Sequence, residues 1–187
     1  MINTYYQDLN YAKISQNKSY QNLLLEAYNK WRYASNYICD LVLNKAFAEK
    51  YNIAHGTTST APDKIMASLY EKLKIMGYKI TLLLCYADSN TRLATIKHRA
   101  EKQAFVQSSD ADVINKGQMF PNRFPVYFQY ADNILLYWTP ENFLQEGSVL
   151  AATWSKSDGL QVENESAYKS FMAKYKSDTD KETLPTK

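Results

Sequence analysis

From Leu24 onward, apolar residues recur at Tyr28, Trp31, Ala34, Ile38, Leu41, Val42 and Ala46. Steps of three and four trace one face of a helix. No proline or glycine interrupts residues 21–50, so the pattern predicts one long helix there. Residues 1–20 are polar and tyrosine-rich and admit at most one short strand, at the very start. After the helix, residues 52–55 read as a short strand leading into His55-Gly56-Thr57-Thr58-Ser59-Thr60, a loop composition hinged on glycine.

Pro62 suits a first helical turn, with Thr60 or Ala61 as cap and Asp63 near the positive end. Ile65, Met66, Leu69, Leu73 and Met76 supply the buried stripe, and Gly77 closes the helix as a left-handed residue. Residues 80–87 are apolar on both faces, as expected of an interior parallel strand covered by helices.

A helix over residues 89–103 follows, capped by Asp88 or Ser89 and packed through Leu93, Ile96 and Ala100. Ser109 or Asp110 caps a short helix to Lys116, and Pro125 opens another through Tyr130. Strands are expected at residues 134–138 and 147–154, the latter at an edge or in a hairpin, and a terminal helix at 165–175. Strands alternating with helices predict an α/β fold with a mostly parallel sheet covered by helices. Residues 1–176 are expected to form a single domain, and the charged, small residues 177–187 a flexible tail.

Composition narrows the function classes. A chain of 187 residues and 21.6 kDa is long enough to bury roughly 70% of its unfolded surface. Its net charge of +3 comes from 22 basic residues spread among 19 acids, with no stripe that would favour nucleic acid. Sixteen tyrosines fall mostly at helical spacing and read as half-buried packing. Cys39 and Cys85 lie in apolar runs and read as small buried hydrophobes of a reduced compartment, not as a disulfide or metal framework. No stretch approaches the length of a membrane span, and the opening residues do not begin a signal peptide, so a cytoplasmic location is expected.

Few residues suggest chemistry. Arg92 and Arg99 are seven apart, which on a helix places them on one face. Two guanidinium forks beside a glycine-hinged loop suit a phosphate-rich ligand; the alternative is two solvated side chains opposite the apolar stripe. His55 and Thr57 follow the short strand, where ligands of parallel α/β sheets collect; the alternative is a polar loop rim. His98 has no metal-ligand partner at suitable spacing, and no nucleophile elbow, zinc signature or paired-carboxylate motif is present. The glycines, at 56, 77, 117, 147 and 159, are too far apart to build a phosphate loop.

The order of these parts resembles the zeta-toxin family of P-loop kinases over residues 1–140. The resemblance is carried by Met1-Ile2-Asn3 as that family's second strand, the long helix, Gly56-Thr57, Met76-Gly77-Tyr78-Lys79-Ile80 entering a strand, the arginine helix, and Tyr130-Ala131-Asp132-Asn133-Ile134-Leu135-Leu136-Tyr137 as a late strand. It implies a P-loop-kinase-like fold without the first strand and Walker A loop. It also implies ATP- and Mg²⁺-dependent phosphorylation of a hydroxyl on a nucleotide-activated amino sugar, in a toxin–antitoxin setting. On this resemblance Thr57 and Arg99 are expected at substrate phosphates, with Arg92 as helper. His55 stands where an acid is expected, and Asp8 is the carboxylate close to the expected catalytic position, which falls near Tyr5 and Tyr6.

A missing first strand leaves rows of unpaired backbone groups on its neighbours. Three outcomes would resolve this: the strands at 52–55 and 79–87 pair directly, a partner protein supplies the strand, or the chain is part of a longer protein. The functional expectation is an incomplete, inactive kinase-like domain that binds a nucleotide or nucleotide sugar. The alternative is a non-catalytic α/β protein-interaction domain.

Overall fold

The computed structural model describes residues 18–57, 61–103 and 108–186. The expected strand at Met1-Ile2-Asn3 and the candidate Asp8 lie outside the described residues. The chain divides into two compact units: residues 1–57 with 95–109, and residues 58–94 with 110–187.

In the first unit the expected long helix is present as α1, Lys18–Ala48. Its apolar stripe is half-buried at Tyr28, Trp31, Ala34 and Ala46 and exposed at Ile38, Leu41 and Val42, and Tyr33 and Tyr37 beside it are exposed too. Cys39, expected to be buried, is exposed on the same helix. Lys50 adopts a left-handed conformation after α1, and residues 51–57 carry no strand. The expected strand at 52–55 is therefore corrected to coil. Its four residues carry one large aliphatic side chain, too little to hold a strand in a core.

The second unit holds the sheet. Helix α2, Asp63–Ile75, begins after Pro62 without a side-chain cap, and Gly77 turns the chain at φ 84°, as its place after the apolar stripe predicted. Strand β1, Thr81–Ala87, pairs in parallel with β2, Asn133–Thr139. Between them lie α3 (Ser89–Gln103), α4 (Asp110–Met119), a short 3₁₀ turn (Pro121–Arg123) and α5 (Phe124–Tyr130). The four-residue α6, Phe143–Glu146, leads to β3, Val149–Ser155. Strand β4, Gly159–Val162, completes a hairpin, and α7, Glu165–Thr179, follows. The strand order is β1-β2-β3-β4, with β2–β3 and β3–β4 antiparallel.

The sheet is thus mixed and open, with one parallel pair, instead of mostly parallel. The cause is local. Ser155 and Asp158 are hydrogen-bonded across the turn, Gly159 takes φ 73°, and a tight hairpin turn can only return the chain antiparallel.

One face of the sheet carries the core. Leu84 and Tyr86 from β1 lie in register with Leu136 and Trp138 from β2, and Ile134 faces Trp154 from β3. These residues cluster with Phe124, Tyr127 and Phe128 of α5 and Phe171 and Tyr175 of α7. Phe124 stacks on Tyr175 with centroids 5.3 Å apart, and Tyr86 meets Phe171 edge-on at 5.2 Å. Aromatic pairs of this kind add about 0.5–1.5 kcal/mol beyond their burial.

The opposite face is more open. Leu83 is 62% exposed, Cys85 is exposed, and Leu135, Tyr137 and Leu150 are half-buried. The expectation that β1 is an interior strand covered on both faces is corrected: among the described residues it is an edge strand, and its Thr81, Leu83 and Cys85 side chains face outward. The expectation that Cys85 is buried fails with it.

Asp132 fixes the start of the parallel pair. Its carboxylate accepts from Lys74 Nζ at 2.5 Å and from the Ile80 amide at 2.7 Å, while its own amide donates to the Ile80 carbonyl at 2.8 Å. Described residues beyond Lys176 are held to this unit. Helix α7 continues to Thr179, the Asp178 side chain is 5% exposed, and Leu184 joins the core.

Candidate functional site

The polypeptide leaves β1 and β2 on the same side of the sheet, where ligands of α/β proteins collect at the carboxyl ends of parallel strands. An open cleft of about 500 Å³ lies there, lined by Asp88, Ser89, Asn90, Trp138, Glu141 and Lys174, among others. Asp88 follows β1 directly and starts α3, its carbonyl accepting from the Arg92 amide at 3.0 Å. Glu141 follows β2. The far wall belongs to α7, which contributes Lys174 with Ser170 and Ser177.

The cleft rests on a buried polar cluster. Lys174 Nζ lies 2.6 Å from Asp178 Oδ1, with the two side chains 12% and 5% exposed. Tyr86 donates its hydroxyl hydrogen to Asp178 Oδ2 from within the core. Burial pushes the Tyr86 hydroxyl far above its ordinary range, and the hydrogen bond to Asp178 adds to the shift, so it remains a donor throughout the working pH range. Asp178 accordingly ties α7 to β1 and sets the position of Lys174 on the cleft wall.

Arg92 packs against the helix that follows its own. Its guanidinium lies against the backbone of Gly117 in α4, so closely that a Cβ there would fall 1.1 Å from Nη1. Nη2 donates to Ser89 Oγ at 3.1 Å, and Nε is buried without a partner. The side chain links the start of α3 to α4 and is only partly open to solvent. Arg99, on the same helix, is exposed.

Of the sequence-derived candidates, Arg92 stands beside the cleft through Ser89 and in the second unit. His55, Thr57 and Arg99 belong to the first unit, and all three are exposed. The residues that line the cleft escaped the sequence reading. Asp88 was legible only as a helix cap, and Glu141 and Lys174 sit in segments without any motif. One signal was present: a glycine inside a short helix, Gly117, marks close approach by another group, here Arg92.

Chemically, the cleft offers two carboxylates, an amide, hydroxyls and one ammonium group already paired with Asp178. Such a set presents hydrogen-bond acceptors and donors to a hydroxyl-rich molecule. It is a poor cradle for a triphosphate, whose charge calls for free cations and converging backbone amides. Among the described residues no group of three or more His, Cys, Asp or Glu side chains is placed to hold a metal ion, and no helix is long and apolar enough to cross a membrane. Comparison with protein-family models, curated proteins and solved structures yields no match to this chain.

Proposed function

We propose that this protein is a non-catalytic, zeta-toxin-like α/β domain that binds a nucleotide sugar, with the sugar in the cleft at the carboxyl ends of β1 and β2. The observation that carries the reading is the set of side chains at that cleft. Asp88, Ser89, Asn90, Glu141 and Lys174 provide both acceptors and donors around a volume that suits a monosaccharide. The ancestral reaction, transfer of phosphate from ATP and Mg²⁺ to a sugar hydroxyl, comes from the family resemblance. The residues at the cleft do not fit a triphosphate and its metal, so no catalytic step is assigned to them.

Calorimetric titration of the full chain tests the proposal. A nucleotide-activated amino sugar, UDP-N-acetylglucosamine, is expected to bind, and ATP with Mg²⁺ is expected to show neither comparable affinity nor turnover. Glu141→Ala is expected to weaken sugar binding by about tenfold, the loss of one hydrogen bond to a charged group. Magnesium-dependent ATP turnover, or absence of binding by the sugar nucleotide, contradicts the reading.

A second reading, a protein-interaction domain, is favoured by a different observation: among the described residues no strand pairs with the outer edge of β1, and Leu83 on that strand is exposed.

A further inference from the structure

Charge at the cleft is one-sided. Asp88 and Glu141, which follow the two parallel strands, are exposed, and among the described residues neither carboxylate enters an ion pair. The cation in the lining, Lys174, is already neutralised from behind: Asp178 lies 2.6 Å from its Nζ, with the two side chains 12% and 5% exposed. Arg92, near the cleft through Ser89, lies against the backbone of Gly117 and donates to the Ser89 hydroxyl, not to a carboxylate. The cleft therefore meets its ligand with two carboxylates whose charge no described side chain pairs.

A metal ion is a poor match for that charge, because among the described residues no three His, Cys, Asp or Glu side chains are grouped to hold one. The rest of the lining suits an organic cation instead. Ser89, Asn90, Ser170 and Ser177 offer neutral donors and acceptors, and Trp138 and Ala173 give an apolar surface for the carbons of a ring.

We propose that the sugar taken by this cleft carries a free, protonated amine, which pairs with the carboxylates of Asp88 and Glu141. The proposal rests on the nucleotide-sugar reading above and narrows it from amino sugars in general to those left unacylated. An ammonium group brings three donors and no acceptor, which matches a pair of acceptor-only carboxylates. An acetamido or hydroxyl group at the same place leaves both negative charges uncompensated. A nucleotide sugar also brings a diphosphate, which two unpaired carboxylates repel; a positive charge on the sugar offsets that repulsion, and a neutral group does not.

Calorimetric titration of the full chain with three ligands that differ at one sugar position tests this. They are UDP-glucosamine, UDP-glucose and UDP-N-acetylglucosamine, compared at mildly acidic pH, where the amine is protonated and both carboxylates stay ionised. UDP-glucosamine is expected to bind about fivefold more tightly than UDP-glucose, the scale of two solvent-exposed ion pairs. That ratio is expected to fall toward one at high salt, which screens exposed charges. Asp88→Asn with Glu141→Gln, near-isosteric changes at exposed positions, is expected to bring the ratio close to one at low salt as well. Equal or weaker binding of UDP-glucosamine overturns the proposal and leaves the nucleotide-sugar reading in place. So does a preference that survives the double substitution or the salt. Binding by none of the three overturns both.

Discussion

At the scale of single residues, buried polar groups decide more than exposed ones. Asp178 accepts from Tyr86 and pairs with Lys174 in a site nearly closed to water. Removing one partner of such a pair leaves the other charged and desolvated, which costs about 3–5 kcal/mol. Asp178→Ala is therefore expected to lower the melting temperature by on the order of 10 °C. The combination Tyr86→Phe, Lys174→Met, Asp178→Leu is expected to recover most of the loss, because no polar group is then left unpaired. Thermal unfolding of both variants measures this.

Asp132 makes a pH-dependent contribution. Burial works against its ionisation, but hydrogen bonds from Lys74 and the Ile80 amide outweigh it and hold the carboxyl below its ordinary value. A depressed pKa stabilises the fold above the unfolded-state value of about 3.9 and loses that contribution as pH falls through the folded-state value. Asp132→Asn is expected to melt below the parent protein at neutral pH, with the gap closing as pH falls below about 4. Melting curves that stay parallel across that range would contradict this role.

At the scale of elements, periodicity identified most helices and strands but not what covers them. The long helix α1, the short helices α4 and α5, and strand β2 were legible because steps of three and four, prolines at first turns and a dense apolar run each have a local cause. The surroundings of β1 were not legible. An all-apolar run reads the same whether both faces are covered or one is open, since the sequence carries no record of what packs against Leu83. The hairpin strand β4, Gly159–Val162, went unseen because four residues with two half-exposed apolar side chains give no periodic signal. The alternation in β1 has a direct test. Leu84→Ala is expected to cost about 2–5 kcal/mol, as for a core leucine, and Leu83→Ala within about 0.5 kcal/mol of zero. Equal losses at the two positions would show that both faces are buried.

At the scale of the whole molecule, residues set aside by composition turned out to complete the core. Charge and small size made residues 177–187 look like a solvated tail, yet Asp178 and Leu184 close the sheet unit from its far end. A chain ending at Lys176 loses both and is expected to be destabilised by at least about 4 kcal/mol, from one buried ion pair and one core leucine. Urea denaturation measures this, and an unchanged midpoint would return the segment to the status of a tail. The candidate site was the least legible part of the chain. Its residues come from the two connections that follow β1 and β2, the end of β2 and helix α7, far apart in sequence and joined only when the parallel pair forms.

The proposed ligand site is tested most directly by mapping backbone amide shifts during titration with UDP-N-acetylglucosamine. Saturable shifts are expected at Asp88, Ser89, Asn90, Glu141 and Lys174, the residues around the cleft. Shifts confined to Thr57 and Arg99, or none at all, would contradict a sugar site at the carboxyl ends of β1 and β2.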